Sequence, residues 1–250
     1  MEDTNSEKGE TPYMKTFHCL FEQSGTFKNV FKSFGHQAFD YDVLNDYNET
    51  DYIIDIFNEI EVAFAYLSGG IEGKEKPNNN LFLKLKPAED FIMAFFPCTY
   101  FCDANELQFR LWGGGKKLEL NSESVARLIN RNKERAYYFE LWIKFCFICT
   151  KLKIPTIIEN PASNRNYLTS FSPISVSYYE KNRSIFGDNF VKPTNFFAIN
   201  FDMVETLMMF DYAITNTKQI CKIHSTKERS LITEVYASNF YKRFLKSTSQ

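Results

Sequence analysis

The run Phe91-Ile-Met-Ala-Phe-Phe96 is apolar at every position and is halted by Pro97. A strand buried on both faces reads this way, without the alternation of a half-exposed sheet, and proline cannot extend the hydrogen-bond ladder. Such strands belong to mostly parallel sheets covered by helices on both sides, so this stretch constrains the fold more than any other. It also delivers a thiol, Cys98, to the rim of the sheet. Ligands of open α/β sheets gather at the carboxyl ends of strands, which makes Cys98 a candidate nucleophile. A second run, Thr156-Ile-Ile158, leads into Glu159-Asn160-Pro161 and sets a carboxyl group at another strand end. The plain structural alternatives are a small buried thiol for Cys98 and a turn-capping acid for Glu159.

The remaining pattern alternates strands and helices. Residues 16–21 predict a short strand, Glu22-Gln-Ser-Gly25 a turn, and Phe27, Val30, Phe31 and Phe34 one face of a helix stopped by Gly35. Residues 37–41 and 51–54 are further strands, ending in Asp42 and Asp55, and a helix follows on Phe57, Ile60, Phe64 and Leu67. Residues 68–80 carry almost nothing apolar and form a surface insertion. Beyond Cys98, the connection 102–121 holds Gly113-Gly-Gly115, suited to hinge a lid. A long helical region then runs from about Ser122 to Leu152, with Tyr138, Leu141, Trp142 and Phe145 on one side. Residues 195–201 form a Phe-rich strand, and Ser225-Thr-Lys-Glu228 is a capping box for a final helix on Leu231, Val235 and Tyr236. The expectation is one α/β domain from residue 13 to 250, a Rossmann-like twisted sheet with helices on both faces, behind a loose polar tail at 1–12.

With 250 residues, 44% of them apolar, and 26 Phe and 14 Tyr, the chain has material for a large aromatic core. Its net charge of −2 is unevenly spread. Residues 1–70 hold 13 acidic and 4 basic side chains, and residues 218–250 hold 7 basic and 2 acidic. The basic segment, with Arg229, Lys242, Arg243 and Lys246, suits contact with nucleic-acid phosphates or a solvated helix face. The six cysteines show no secreted disulfide framework, and neither a signal peptide nor an apolar run of spanning length is present, so a cytoplasmic protein without membrane contact is expected. Cys146-Phe-Ile-Cys149 has metal-ligand spacing but lies in an apolar stretch with no second pair, so no metal is expected.

The first strand–helix turn brings Phe21, Glu22, Ser24 and Gly25 to a helix N-terminus, where backbone can approach a ligand. Asp42, about twenty residues on, stands where an acid accepts hydrogen bonds from a ribose, and Asp55 ends the third strand. Capping of the following helices is the other use for both acids.

These residues resemble the S-adenosylmethionine-dependent DNA cytosine-5 methyltransferases, in particular their short phage-type relatives. The first family motif resembles Cys19-Leu-Phe-Glu-Gln-Ser-Gly-Thr-Phe-Lys-Asn-Val-Phe31, the catalytic motif Phe96-Pro-Cys-Thr-Tyr-Phe-Cys102, and the Glu-Asn-Val motif Glu159-Asn-Pro161. The short relatives are also similar at Phe186-Gly-Asp-Asn-Phe-Val-Lys-Pro-Thr-Asn-Phe-Phe197 and Glu228-Arg-Ser-Leu-Ile232. The resemblance implies S-adenosylmethionine as cofactor and DNA as partner. It further implies that Cys98 adds to carbon 6 of cytosine so that carbon 5 takes the methyl group, and that Glu159 binds ring N3 and the amino group. Glu22, Asp42 and Asp55 match positions that line the cofactor pocket in this family, where Phe21, Ser24, Gly25 and Pro97 are also expected. The chain departs from the family at Cys19, Gln23, Thr99 and Cys102, and those departures leave open a non-catalytic protein on the same scaffold. Such a protein would bind a nucleotide, nucleic acid or host protein, for example to counter a defence system.

Overall fold

The computed structural model of the chain describes residues 14–69, 75–102, 121–163, 166–206 and 231–246, with positions 109, 112–113, 116–117 and 218–219. The first strand, β1 (Thr16–Leu20), is followed by α1 (Thr26–Ser33), β2 (Gln37–Asp42), β3 (Tyr52–Ile53), α2 (Ile56–Leu67) and the single turn α3 (Leu81–Lys84). The apolar run that begins at Phe91 forms β4 (Asp90–Phe95), which stops just short of Pro97. Two short pieces, β5 (Trp112–Gly113) and β6 (Lys116–Lys117), pair antiparallel and precede α4 (Ser122–Leu152). Then come β7 (Thr156–Pro161), α5 (Tyr167–Phe171), β8 (Tyr178–Glu180), a 3-10 turn at Arg183–Phe186, β9 (Phe190–Val191), β10 (Thr194–Ile199), β11 (Lys218–Gln219) and α6 (Glu234–Phe244).

Seven strands form one sheet in the order β3-β2-β1-β4-β7-β10-β8. The first five are parallel, and β10 runs antiparallel to both β7 and β8. The molecule is therefore a mixed α/β structure on a mostly parallel sheet. Strand residues alternate between two apolar layers, as the pleat requires. Phe17, Cys19, Phe91, Met93, Ile157 and Phe196 face α1 and α6, where Phe27, Phe31, Phe240 and Phe244 are buried. Leu20, Ile92, Ala94, Ile158 and Phe197 face α2 and α4, meeting Ile60, Ala63, Trp142 and Phe145. Among the described residues no helix is long and apolar enough to cross a membrane.

Two expectations shift at the C-terminal side. The final helix begins at Glu234, because Thr233 caps it by accepting the Tyr236 N–H at 3.1 Å; Leu231 lies ahead of it. The capping box at 225–228 falls outside the described residues, as do most of the lid at 102–121 and residues 1–13. Strand β7 also continues through Glu159 and Asn160 to Pro161, so the carboxylate stands within the ladder and not beyond it.

Candidate active site

The strand order reverses between β1 and β4, and the two connections that leave these neighbours diverge to opposite faces of the sheet. A crevice results at their carboxyl ends, the usual ligand position in open α/β sheets. The β1 connection opens on Phe21, whose backbone is left-handed at φ 60 and whose N–H donates to the Tyr41 carbonyl at 2.9 Å. A bulky aromatic residue in that region is strained and held by its surroundings, here the rings of Phe57 and Phe96 at 5.4 and 5.5 Å. Gly25 is also left-handed, at φ 66, and a Cβ there would stand 3.0 Å from Glu49 Oε2 and 3.2 Å from Lys28 Cε. Only glycine fits this turn without displacement.

Gly25 precedes α1 and offers no capping side chain. Glu22 serves in its place: Oε1 accepts the Phe27 N–H at 2.8 Å and Oε2 the Lys28 N–H at 3.4 Å. Burial pushes its carboxyl up to about 7, against the pull of those two donors. Behind the turn the buried ammonium of Lys28 lies 3.1 Å from Asp40 and 3.4 Å from Asp51, and also donates to the Glu49 carbonyl. Burial works against that charge, but Asp40 and Asp51 outweigh it and raise its pKa. This cluster locks α1 to β2 and to the loop that follows β2.

Across the crevice, Phe95 of β4 is in register with Glu159 of β7. Three residues past Phe95, Cys98 opens a helical turn in which its carbonyl accepts the N–H groups of Phe101 and Cys102 at 2.9 and 3.2 Å. Its half-buried thiol is held well above the usual cysteine range, first by its hydrogen bond with Cys102, then by burial and by Glu159; Lys192 acts in the opposite sense. The Glu159 carboxylate is itself buried, with Arg183 Nη1 at 3.5 Å and Lys192 Nζ at 3.8 Å from Oε1. Arg183 is inaccessible to solvent, donates from Nε to Asp188 at 2.6 Å, and sits over the Tyr236 ring at 4.9 Å.

A cavity of about 650 Å³ joins the two halves. Phe21, Glu22, Ser24, Asp42, Asp55, Pro97, Cys98 and Glu159, all singled out in the sequence, line it together; Gly25 is not among its lining residues. Asp42 is buried, which raises its pKa, and its Oδ1 accepts the Leu44 N–H at 2.8 Å. Asp55 caps α2 by accepting the Phe57 and Asn58 N–H groups at 3.0 and 3.2 Å, the structural use foreseen as its alternative. Sequence reasoning missed Arg183 as a partner for Glu159, and Lys192 and Tyr138 as cavity residues. Lys192 and its following Pro-Thr belong to the family resemblance, and that is the signal that could have found it. Asp188 lies only five residues from Arg183, but nothing local links Arg183 to Glu159, which is 24 residues away.

The nucleic-acid residues expected near the C-terminus divide. Arg243 is a correction: it has no solvent exposure, and its guanidinium reaches Glu205 at 2.7 Å, Glu180 at 3.0 Å and the Tyr178 hydroxyl at 2.8 Å. A side chain so enclosed cannot meet a phosphate. Lys246 is exposed and Lys242 half-buried, while Arg229 lies outside the described residues. Cys146 and Cys149 are buried on α4, where burial pushes the Cys149 thiol up to about 12. Among the described residues no group of three or more His, Cys, Asp or Glu is placed to hold a metal. No protein-family model matches the chain, and no curated protein matches it either.

Proposed function

We propose that the chain is an S-adenosylmethionine-dependent methyltransferase that modifies carbon 5 of cytosine in DNA, built on a Rossmann-like methyltransferase fold. The observation that carries this reading is the arrangement of Cys98 and Glu159, on adjoining strand ends, at one side of a cavity whose other side is anionic and aromatic. The reversal of strand order at β1 and β4 supports the Rossmann-like assignment.

The cavity suits this cofactor better than a nucleotide. A pyrophosphate needs the free N–H groups at the start of α1, and Glu22 already occupies two of them. Among the described residues five carboxylates line the cavity, Glu22, Asp42, Asp46, Asp55 and Glu159, against the single ammonium of Lys192. That balance attracts a sulfonium and an α-ammonium and repels phosphates. Phe21 and Phe57 offer ring faces for an adenine. When bound, S-adenosylmethionine supplies an electrophilic methyl group.

The chain's own residues then have defined tasks. Cys98 would pass its proton to water and its sulfur would bond to carbon 6 of the cytosine, moving the ring electron pair to carbon 5, the atom that would receive the methyl group. Loss of the proton from carbon 5 and departure of the sulfur restore the ring. A base entering between Cys98 and Cys102 breaks the thiol pair that keeps Cys98 protonated, and Lys192 is the nearby cation that stabilises a thiolate. Glu159, positioned by Arg183 and Lys192, hydrogen-bonds ring N3 and the amino group where charge develops. The cytosine must leave the duplex to reach this depth.

One observation favours a second reading, a non-catalytic protein on the same scaffold: the Cys98 thiol is paired with another thiol, and among the described residues that line the cavity there is no histidine to serve as its base. Titration calorimetry of the purified chain with S-adenosylmethionine separates the two. Saturable one-to-one heat is the result expected of the methyltransferase; its absence at high micromolar cofactor selects the non-catalytic protein.

A further inference from the structure

Five arginines lie among the described residues. Arg183 and Arg243 are buried and committed to carboxylates, whereas Arg127, Arg131 and Arg135 fall in one row on α4, four residues apart. Side chains at that spacing share a helix face, and each step advances about 6 Å along the axis. The same face carries Tyr138, which lines the Cys98 cavity. The row therefore starts at the cavity mouth and runs outward along the first half of α4, none of whose residues before Leu141 is buried.

The mouth is continuous with this row. The Tyr100 ring, on the turn that follows Cys98, packs against Tyr138 at 4.5 Å and lies beneath the Arg131 guanidinium at 5.6 Å. Tyr100, Arg127, Asn130 and Arg131 share an open depression of about 500 Å³ beside the cavity. Arg135 is stacked between Phe109 and Tyr167, at 4.2 and 4.8 Å, and donates to Asn132 at 2.7 Å. Stacking fixes a guanidinium plane and leaves donors at its edge for a phosphate. Arg127 is exposed and has no ion-pair partner among the described residues.

Two acids share the groove. Glu134 stands 3.7 Å from Arg131, with both side chains partly solvated, a pairing weak enough for a phosphate to displace. Glu123 lies in the first turn of α4, where it complements the helix dipole.

We propose that Arg127, Arg131 and Arg135 form the track that holds the phosphates of the nucleic-acid strand whose base enters the Cys98 cavity. The inference rests on the reading of the acceptor as nucleic acid and adds where on this chain that strand lies. It moves the phosphate-binding surface from the C-terminal segment to α4.

The test is fluorescence anisotropy of the full chain with a labelled cytosine-containing oligonucleotide, single-stranded and duplex, across a potassium chloride series. The double variant Arg127→Ala/Arg131→Ala spares the stacked Arg135 and should bind at least tenfold more weakly at low salt. The slope of log K against log salt should shrink by roughly 0.7 to 0.9 for each phosphate that the variant no longer neutralises. Lys242→Ala/Lys246→Ala should bind as the parent does. A double arginine variant with parental affinity and slope overturns the proposal, as does a parent chain that binds neither oligonucleotide. Calorimetry with S-adenosylmethionine keeps the two readings apart. A chain that binds oligonucleotide through these arginines and gives no heat with the cofactor upholds the track and removes the methyltransferase. Cofactor binding without oligonucleotide affinity does the reverse.

Discussion

The side-chain amide of Asn160, fully buried in β7, donates to the carbonyl of Phe96 at 3.1 Å, bridging the two strand ends that carry Glu159 and Cys98. Asn166 in turn donates to Asn160 Oδ1 at 3.1 Å and to the Pro161 carbonyl at 2.6 Å. The spacing of thiol and carboxylate is thus set by a chain of buried amides. Replacing Asn160 by Ala leaves the Phe96 carbonyl unpaired in the interior, and a loss of about 2–3 kcal/mol is expected. Urea denaturation measures it, and a variant as stable as the parent would show that the bridge contributes nothing.

If the proposed reaction holds, Cys98→Ala abolishes methyl transfer to a cytosine-containing DNA substrate and leaves S-adenosylmethionine binding within about twofold, because in that reaction the sulfur bonds to the base and not to the cofactor. A labelled-methyl assay alongside calorimetry reads both quantities. Methyl transfer by the alanine variant would rule out the covalent route.

Arg243 and its neighbours at the end of α6 test burial against charge. Arg243→Ala strands the buried Glu180 without its cation and should destabilise the fold by about 3–5 kcal/mol. Lys242→Ala and Lys246→Ala should change stability by no more than about 0.5 kcal/mol. Equal effects at all three positions, measured by urea denaturation, would contradict the placement of Arg243 in the core.

Glu22 makes stability depend on pH in a stated direction. Its folded-state pKa of about 7 lies above the ordinary value of 4.5, so the unfolded chain ionises first as pH rises. The contribution is fully present below pH 4.5 and is lost as pH climbs through 7, a change of roughly 3 kcal/mol. Glu22→Gln should remove this slope and narrow the difference between melting temperatures at pH 5 and pH 7.5. A cationic ligand beside Glu22 favours its ionised form, so binding of the proposed S-adenosylmethionine near neutral pH should release protons, visible as a buffer-dependent heat in calorimetry.

Much of this geometry is legible because apolar runs stopped by proline announce buried strand ends. Phe91 to Pro97 and Thr156 to Pro161 place Cys98 and Glu159 at the correct rim from local pattern alone. The long helix from Ser122 to Leu152 is equally plain, since its apolar face repeats over several turns. Arg243 escapes a local reading because its helix alternates bases with aromatics, and nothing nearby says that Glu180 and Glu205 will arrive to bury one of those bases. Arg183 stays hidden for the same reason: Asp188 is its neighbour five residues on, but Glu159 reaches it from β7, 24 residues away. Glu22 has the look of a ligand-facing acid, but a glycine at the start of α1 leaves two N–H groups unserved and the carboxylate turns inward to them. The antiparallel direction of β10 is invisible because a fully buried strand reads the same either way.

The placement of Tyr236 beneath Arg183 has a consequence for the order in which the protein acquires competence. Translation delivers the thiol and the acid well before α6, yet the guanidinium that steadies Glu159 has no floor until that helix docks. A growing chain therefore carries the Cys98 thiol and the Glu159 carboxylate in an unfinished hollow, and completion of the site waits on a segment that leaves the ribosome about 75 residues after Glu159.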